Sequence, residues 1–291
     1  MSLPSVLLGT GASEGIPAVC CDCPVCRHAR EVKEKNVRTR SDFLIDETAM
    51  IDYSPDLFYQ ALQNGLFLRE IRHIFLTHFH EDHISVPEMG CRLSGIPRLT
   101  FDVTVYGSAA ALEQVELLFE RYADHTLVGA KNYFSQYKLK PLEPFVSYEI
   151  DGMKATPVLS SHRGYGVNEI GYNYVITDRR GRTFLYAVDT GWYDESTWEY
   201  LRENRPVFDY VIMECTYGDH ELPRHQSGHL DYKNMLEMVE TLGALGCISV
   251  DTPIYLTHIC HLHSKTHEET EAMLLGCGWN IHTGYDGLVI V

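Results

Sequence analysis

Apolar positions along the chain fall into short runs separated by longer amphipathic stretches, an alternation that predicts strands and helices in turn. Residues 5–8 form an apolar strand that stops at Gly9-Thr10-Gly11, where glycines permit a tight turn. Residues 43–46 and 49–52 pair as a hairpin around Glu47-Thr48, and Ser54-Pro55-Asp56 then supplies an N-cap, a first-turn proline and an early carboxylate for a helix closed by Gly65. Residues 73–76 read as a buried strand, a helix starts between 83 and 89, and a strand at 103–106 leads into a helix over 108–120. From about 141 to 188 the period shortens to two, giving strands at 145–150, 153–158, 170–177 and 183–188. Strand and helix then alternate again: strand 210–213, helix 232–242, strand 253–256 and helix 266–275. Two halves of this kind predict an α/β (α+β) fold, with two mixed sheets packed face to face and helices outside.

Glycine and proline are scattered as punctuation, and no linker or fixed-period repeat breaks the 291 residues, so 1–291 is expected to be one domain. The formal charge of −16 opposes a polyanion, which argues against nucleic acid as a partner. A small anion stays compatible, because salt screens a distant acidic surface while a local metal charge acts at short range. The first residues carry neither a charged leader nor an apolar span of membrane length, so a soluble, cytoplasmic protein without a membrane partner is expected, with a homodimer left open. Nine cysteines is an odd number, and Cys20, Cys21, Cys23 and Cys26 crowd together, which fits metal binding in a reducing compartment better than disulfides.

Chemistry concentrates in Thr77-His78-Phe79-His80-Glu81-Asp82-His83, directly behind the strand at 73–76. Imidazole and carboxylate are ligands that suit zinc, manganese or iron, and a loop leaving a strand end can fan alternate side chains toward one point. Three further stations place a histidine or aspartate just beyond an apolar strand: His162, Asp189 and His258. Singly, each also reads as a turn or strand-end polar residue, and Asp52 as a turn residue or a brace for the histidine loop. By contrast Gly9-Thr10-Gly11 is a weak dinucleotide signal, because no βαβ unit follows it.

Through His78, His80, Asp82, His83, His162, Asp189 and His258, in that order and strand context, the chain resembles the metallo-β-lactamase superfamily over nearly its whole length. That resemblance implies the four-layer αβ/βα sandwich and a dinuclear hydrolase site. His78, His80 and His162 would hold one divalent ion, Asp82, His83 and His258 the other, and Asp189 would bridge them. Zinc, manganese, nickel and iron all accept such ligands. Two divalent ions facing two carboxylates and a bridging hydroxide leave a net positive charge, suited to a phosphodiester monoanion. Asp82 is thus both ligand and part of the catalytic set. The leaving oxygen needs a proton, and His229, at a helix start, is the candidate donor, with His220 and His225 as neighbours that could substitute.

Cys21, Cys23 and Cys26 form CxCxxC, one ligand short of a closed structural zinc site. Here the chain resembles the PhnP-type phosphodiesterases, in which a histidine three residues after the last active-site histidine completes the set; His261 stands at that position. Cys20 is the competing fourth ligand, disfavoured because adjacent residues rarely aim both thiolates at one ion. The resemblance implies a small phosphodiester substrate, with 5-phosphoribosyl 1,2-cyclic phosphate as the named candidate, two catalytic divalent ions and one structural zinc. Two other readings stay open: a ribonuclease Z-like tRNA-processing nuclease, and a non-catalytic metal-binding carrier. Specificity is expected in the segment from about 92 to 140 and the lip at 217–229, with Tyr133, Arg163 and Tyr165 as candidate pocket residues.

Overall fold

The computed structural model describes residues 3–93, 101–125, 134–164 and 169–291. The chain lays down β1 (Ser5–Gly9), α1 (Pro24–Val32), β2 (Asp42–Asp46), β3 (Ala49–Ile51), α2 (Leu57–Gln63), β4 (His73–Phe75), α3 (Val86–Leu93), β5 (Val103–Gly107), α4 (Ala109–His125) and β6 (Tyr137–Pro141). It continues through β7 (Tyr148–Ile150), β8 (Met153–Arg163), β9 (Ile170–Thr177), β10 (Thr183–Ala187), α5 (Glu195–Asn204), β11 (Tyr210–Glu214), α6 (Tyr232–Ala244), β12 (Ile254–Thr257), α7 (His267–Leu274), β13 (Ile281–Thr283) and β14 (Leu288–Ile290).

Two seven-stranded sheets result, in the orders β14-β1-β2-β3-β4-β5-β6 and β13-β12-β11-β10-β9-β8-β7. Both are mixed. The first is antiparallel from β14 to β3 and parallel from β3 to β6; the second is antiparallel from β7 to β10 and parallel from β10 to β13.

Side-chain alternation explains why central strands read as continuous apolar runs: each strand is covered on both faces. In β2, Phe43 and Ile45 enter the layer between the sheets, while Leu44 faces the cluster under α2, α3 and α4. In β10, Phe184 and Tyr186 point into the same central layer, whereas Leu185 and Ala187 pack toward α5 and α6. The sheets lock through aromatics, Phe43 against Phe184 and Tyr186 at 5.6 and 5.8 Å, and through the Tyr174 hydroxyl donating to Leu76 O at 2.6 Å. The result is the expected helix–sheet–sheet–helix sandwich. Among the described residues, no helix is long and apolar enough to cross a membrane.

The hairpin of β2 and β3 forms around Glu47-Thr48 as expected, with Asp46 opposite Ala49, and a bulge between Leu44 and Asp46 then shifts the register so that Phe43 faces Ile51. Other expectations change. The helix after the hairpin starts two residues later: Asp56 is its N-cap and makes no side-chain cap bond, because its carboxylate is taken by Arg40 N and Arg40 Nη1, while the Ser54 hydroxyl donates to Asp42 at 2.5 Å. β6, with two lysines and an edge position, and the short β13 and β14 lacked a strand pattern. β8 runs on to Arg163, so His162 lies inside a strand end rather than beyond one. β14 also crosses back to the first sheet, so the two sheets do not divide at one point in the chain.

Candidate active site

Parallel neighbours bring strand ends to one rim, and a sheet's carboxyl ends are where loops can converge on a ligand. β10, β11 and β12 are in register, Ala187 opposite Met213 and Met213 opposite Leu256, so Asp189, Glu214 and His258 emerge side by side. β4 delivers the histidine loop from the other sheet. Asp52, Asp189 and His258 all sit at strand ends with left-handed φ values of 64°, 52° and 54°. Such a conformation is costly for a non-glycine residue and is held here by the surrounding contacts.

Asp52 is fully buried and braces the loop. Its carboxylate accepts from Thr77 N at 2.8 Å, from Thr77 Oγ1 at 2.9 Å and from His83 Nδ1 at 2.7 Å. The last bond fixes the His83 tautomer and turns Nε2 toward the cluster. Glu169, also fully buried, accepts Phe79 N at 2.6 Å and holds the backbone between His78 and His80.

Two ligand sets form around these braces, His78, His80, His162 and Asp189, and Asp82, His83, Asp189 and His258, with the donor atoms of each set within 4.8 Å of one another. Asp189 belongs to both. Its Oδ2 lies 3.2 Å from His78 Nε2 and 3.0 Å from His83 Nε2, and its Oδ1 lies 3.0 Å from His258 Nδ1. Asp82 Oδ2 is 3.4 Å from both His83 Nε2 and His258 Nε2. His80 Nδ1 faces His78 Nε2 at 2.8 Å and His162 Nε2 at 3.3 Å.

Electrostatics separates the two sets. Burial, aided by His83, drives His78 down to about 3, and burial also lowers His80 and His162, so the first set offers neutral imidazoles. In the second set burial is outweighed by carboxylates: His258 rises to about 10 through Asp189, and His83 rises through Asp82, Asp52 and Asp189. Asp82 and Asp189 are correspondingly held below the usual carboxylate range, burial being overcome by the histidines around them. The donor set fits divalent metal ions. Imidazole nitrogens face one another with more lone pairs than protons to share, and buried His83 Nε2 makes no directed hydrogen bond among the described residues. A cation placed among these atoms would satisfy them.

Beside the second set, His229 Nδ1 donates to Glu214 Oε1 at 2.9 Å, and its ring lies 4.7 Å from His162 and 5.8 Å from His258. Glu214 is fully buried and also accepts from Thr190 N, Leu230 N and the Thr216 hydroxyl. Thr216 Oγ1 lies 2.8 Å from His258 Nδ1. Burial lowers His229, but Glu214 and then Asp189 raise it above its ordinary value. Sequence reasoning missed Glu214. The available signal was an acidic residue closing an otherwise apolar strand, a costly placement without partners.

His225 instead stacks on Trp192 at 3.7 Å and meets Glu237, and His220 sits against His263, so neither approaches the cluster as His229 does. Arg163 is exposed at the end of β8. Tyr133 and Tyr165 lie outside the described residues, as do parts of the 92–140 segment.

The thiol cluster assembles at the start of α1. Cys21 Sγ and Cys23 Sγ lie 3.4 and 3.5 Å from His261 Nδ1, and Cys26 joins the same group, whereas Cys20 is exposed outside it. Cys23 caps α1, accepting Cys26 N; that bond and His261 outweigh burial and lower its thiol to about 7, while burial pushes Cys26 up to about 12. The set fits a closed four-ligand zinc site. The Gly9-Thr10-Gly11 turn packs against this segment: Thr10 O accepts Ile259 N at 2.9 Å, and a Cβ at Gly9 would sit 1.9 Å from Arg40 O. The turn is glycine for close backbone approach, not for a dinucleotide.

A family model for the beta-lactamase superfamily domain matches residues 48–259. The chain belongs to this family. An octanoyltransferase of Porphyromonas gingivalis is 25% identical over 97% of this chain and 50% of that protein, and a ribonuclease Z of Listeria innocua is 26% identical over 60% of this chain and 50% of that protein. The chain thus spans about half the length of the curated relatives it matches. Among solved structures, a diphosphatase of the PhnP family superposes with a TM-score of 0.73 at 24% identity, covering 100% of this chain and 98% of that one, which shows the shared fold.

Proposed function

We propose that this metal-dependent hydrolase is a phosphodiesterase for a small, cyclic phosphodiester, with 5-phosphoribosyl 1,2-cyclic phosphate the first candidate. The observation that carries the reading is the pair of ligand sets sharing Asp189, with the Glu214-paired His229 beside them. His78, His80, His162 and Asp189 would hold one divalent ion of the zinc, manganese, nickel or iron kind, and Asp82, His83, His258 and Asp189 a second. Cys21, Cys23, Cys26 and His261 would hold a structural zinc. When bound, two such ions polarise phosphoryl oxygens and lower the pKa of water at neutral pH.

The chain's own residues supply the rest. Asp52 and Glu169 keep the histidine loop in one shape. Glu214 takes the Nδ1 proton of His229 in a hydrogen bond, which leaves Nε2 as the atom that carries and releases the proton the leaving oxygen requires. Thr216 orients His258, and burial of His78, Asp82, His83, Asp189 and His258 limits competing water on that side of the rim.

Metal-loaded protein is expected to hydrolyse bis(p-nitrophenyl) phosphate and members of a cyclic phosphate panel; failure on all of them would overturn the reading. The ribonuclease Z reading is favoured by the Listeria innocua relative and opposed by the charge of −16, and cleavage of a precursor tRNA at submicromolar enzyme would revive it. A carrier role would be supported by metal uptake without turnover of any diester. Octanoyl transfer is not extended to this chain, because half of the Porphyromonas gingivalis protein lies outside the match.

A further inference from the structure

We propose that Ser161 is a positioning residue for His229, and that Ser161 and His162 together grip the backbone on either side of the Gly228 Cα, tying the placement of the acid to a residue of the first ligand set. The inference rests on the reading of His229 as proton donor. Successive strand residues normally point to opposite faces, but the register of β8 slips between Leu159 and Arg163, and Ser160 Oγ accepts His162 N at 3.1 Å to close a local turn. Both Ser161 and His162 therefore reach the backbone of the same residue, Gly228. Gly228 N donates to Ser161 Oγ at 3.2 Å, and His162 Nδ1 lies 3.2 Å from Gly228 O. The second contact requires the proton on Nδ1, which leaves His162 Nε2, the atom facing His80, unprotonated for a cation.

Ser161 Oγ accepts a second donor, Gly191 N at 2.8 Å, so one hydroxyl joins the loop after Asp189 to the loop before His229. Gly191 is glycine for the same reason: a Cβ there would stand 2.2 Å from Gln226 O and 2.8 Å from Gly228 N. Trp192 N donates to Gln226 O at 2.8 Å and extends the seam. Glu214 thus fixes the His229 ring from behind while the seam fixes the backbone that carries it. A misplaced acid matters in proportion to how badly the leaving group needs a proton. That dependence separates positioning from general destabilisation.

The test compares phenyl methyl phosphate with p-nitrophenyl methyl phosphate, whose leaving group needs little protonation. In Ser161→Ala the ratio of kcat on the phenyl ester to kcat on the nitrophenyl ester is expected to fall about tenfold or more. Ser161→Thr should restore it, and metal content should match wild type. Hydrogen–deuterium exchange should speed up at Gly191 and Gly228 in the alanine variant. Gly191→Ala, which crowds the seam from the other side, should give the same ratio change and serves if Ser161→Ala does not fold. Equal losses on both esters, or unchanged exchange at Gly228, would overturn the proposal. If wild type cleaves neither ester, it is the phosphodiesterase reading that fails, and the exchange measurement alone decides whether the seam exists.

Discussion

Replacing Asp52 with asparagine keeps the shape of the brace, removes one buried negative charge and puts hydrogens on the atom facing His83. Asp52 Oδ1 accepts from Thr77 N at 2.8 Å, so the amide oxygen is expected to stay on that side; the opposite orientation would leave a buried backbone N–H facing an N–H, at about 1–3 kcal/mol. The amide NH2 then faces His83 Nδ1, where Asp52 Oδ2 had accepted at 2.7 Å. Two donors cannot share that line, so the His83 proton moves to Nε2. Nε2 is the atom 3.0 Å from Asp189 and 3.4 Å from Asp82, the one a cation in the second set needs bare. Losing such a partner weakens metal binding by about 10–100-fold, or roughly 1.4–2.7 kcal/mol. Competition with a chromophoric chelator reads this directly, with circular dichroism to confirm folding. The expected result is one weakened ion per chain with the other nearly unchanged, since His78, His80 and His162 keep their geometry. Affinities within threefold of wild type for every ion would refute the reasoning.

Glu214→Gln tests the acid. His229 works while protonated, so activity on a poor leaving group should hold below its raised pKa and fall as pH rises through it; without the Glu214 charge, burial remains and the alkaline limb should move down toward or below 6.5 in a pH–rate profile. Metal uptake should release protons, because His258, raised to about 10, is protonated at pH 8 in the bare protein, and His83 is shifted in the same direction; calorimetry in two buffers should show net proton release, with affinity falling as pH drops, and no buffer dependence would contradict it. Cys23→Ser should lower the metal count from about three per chain to about two and lower the melting temperature while leaving the other two ions in place; an unchanged count would remove the thiol site.

Much of the rim was legible in the sequence because its candidate ligands follow apolar strands. His78, His80, Asp82 and His83 come straight after β4, and Asp189 and His258 straight after β10 and β12. Strand burial on both faces made those runs unmistakable. What escaped depended on tertiary contact. Glu214 looked like the end of a strand, and only the convergence of Thr190, Thr216, Leu230 and His229 on its oxygens reveals its role. Ser161 is one of two adjacent serines, and its importance comes from a register slip in β8 that no composition or period encodes. α1 starts at Pro24 inside the cysteine cluster, where the metal-like spacing masked a helix start. β6 alternates lysine with apolar residues at an exposed edge and carries too weak a pattern to be seen.

The central claim is that two ions sharing Asp189 make this rim hydrolytic. It is tested most directly by titrating metal into stripped protein while counting ions per chain and measuring bis(p-nitrophenyl) phosphate turnover, in wild type and in His80→Ala and Asp189→Ala. The account predicts that turnover rises as the catalytic pair fills and that both variants lose it. Wild-type turnover surviving in both variants at matched metal loading would contradict it.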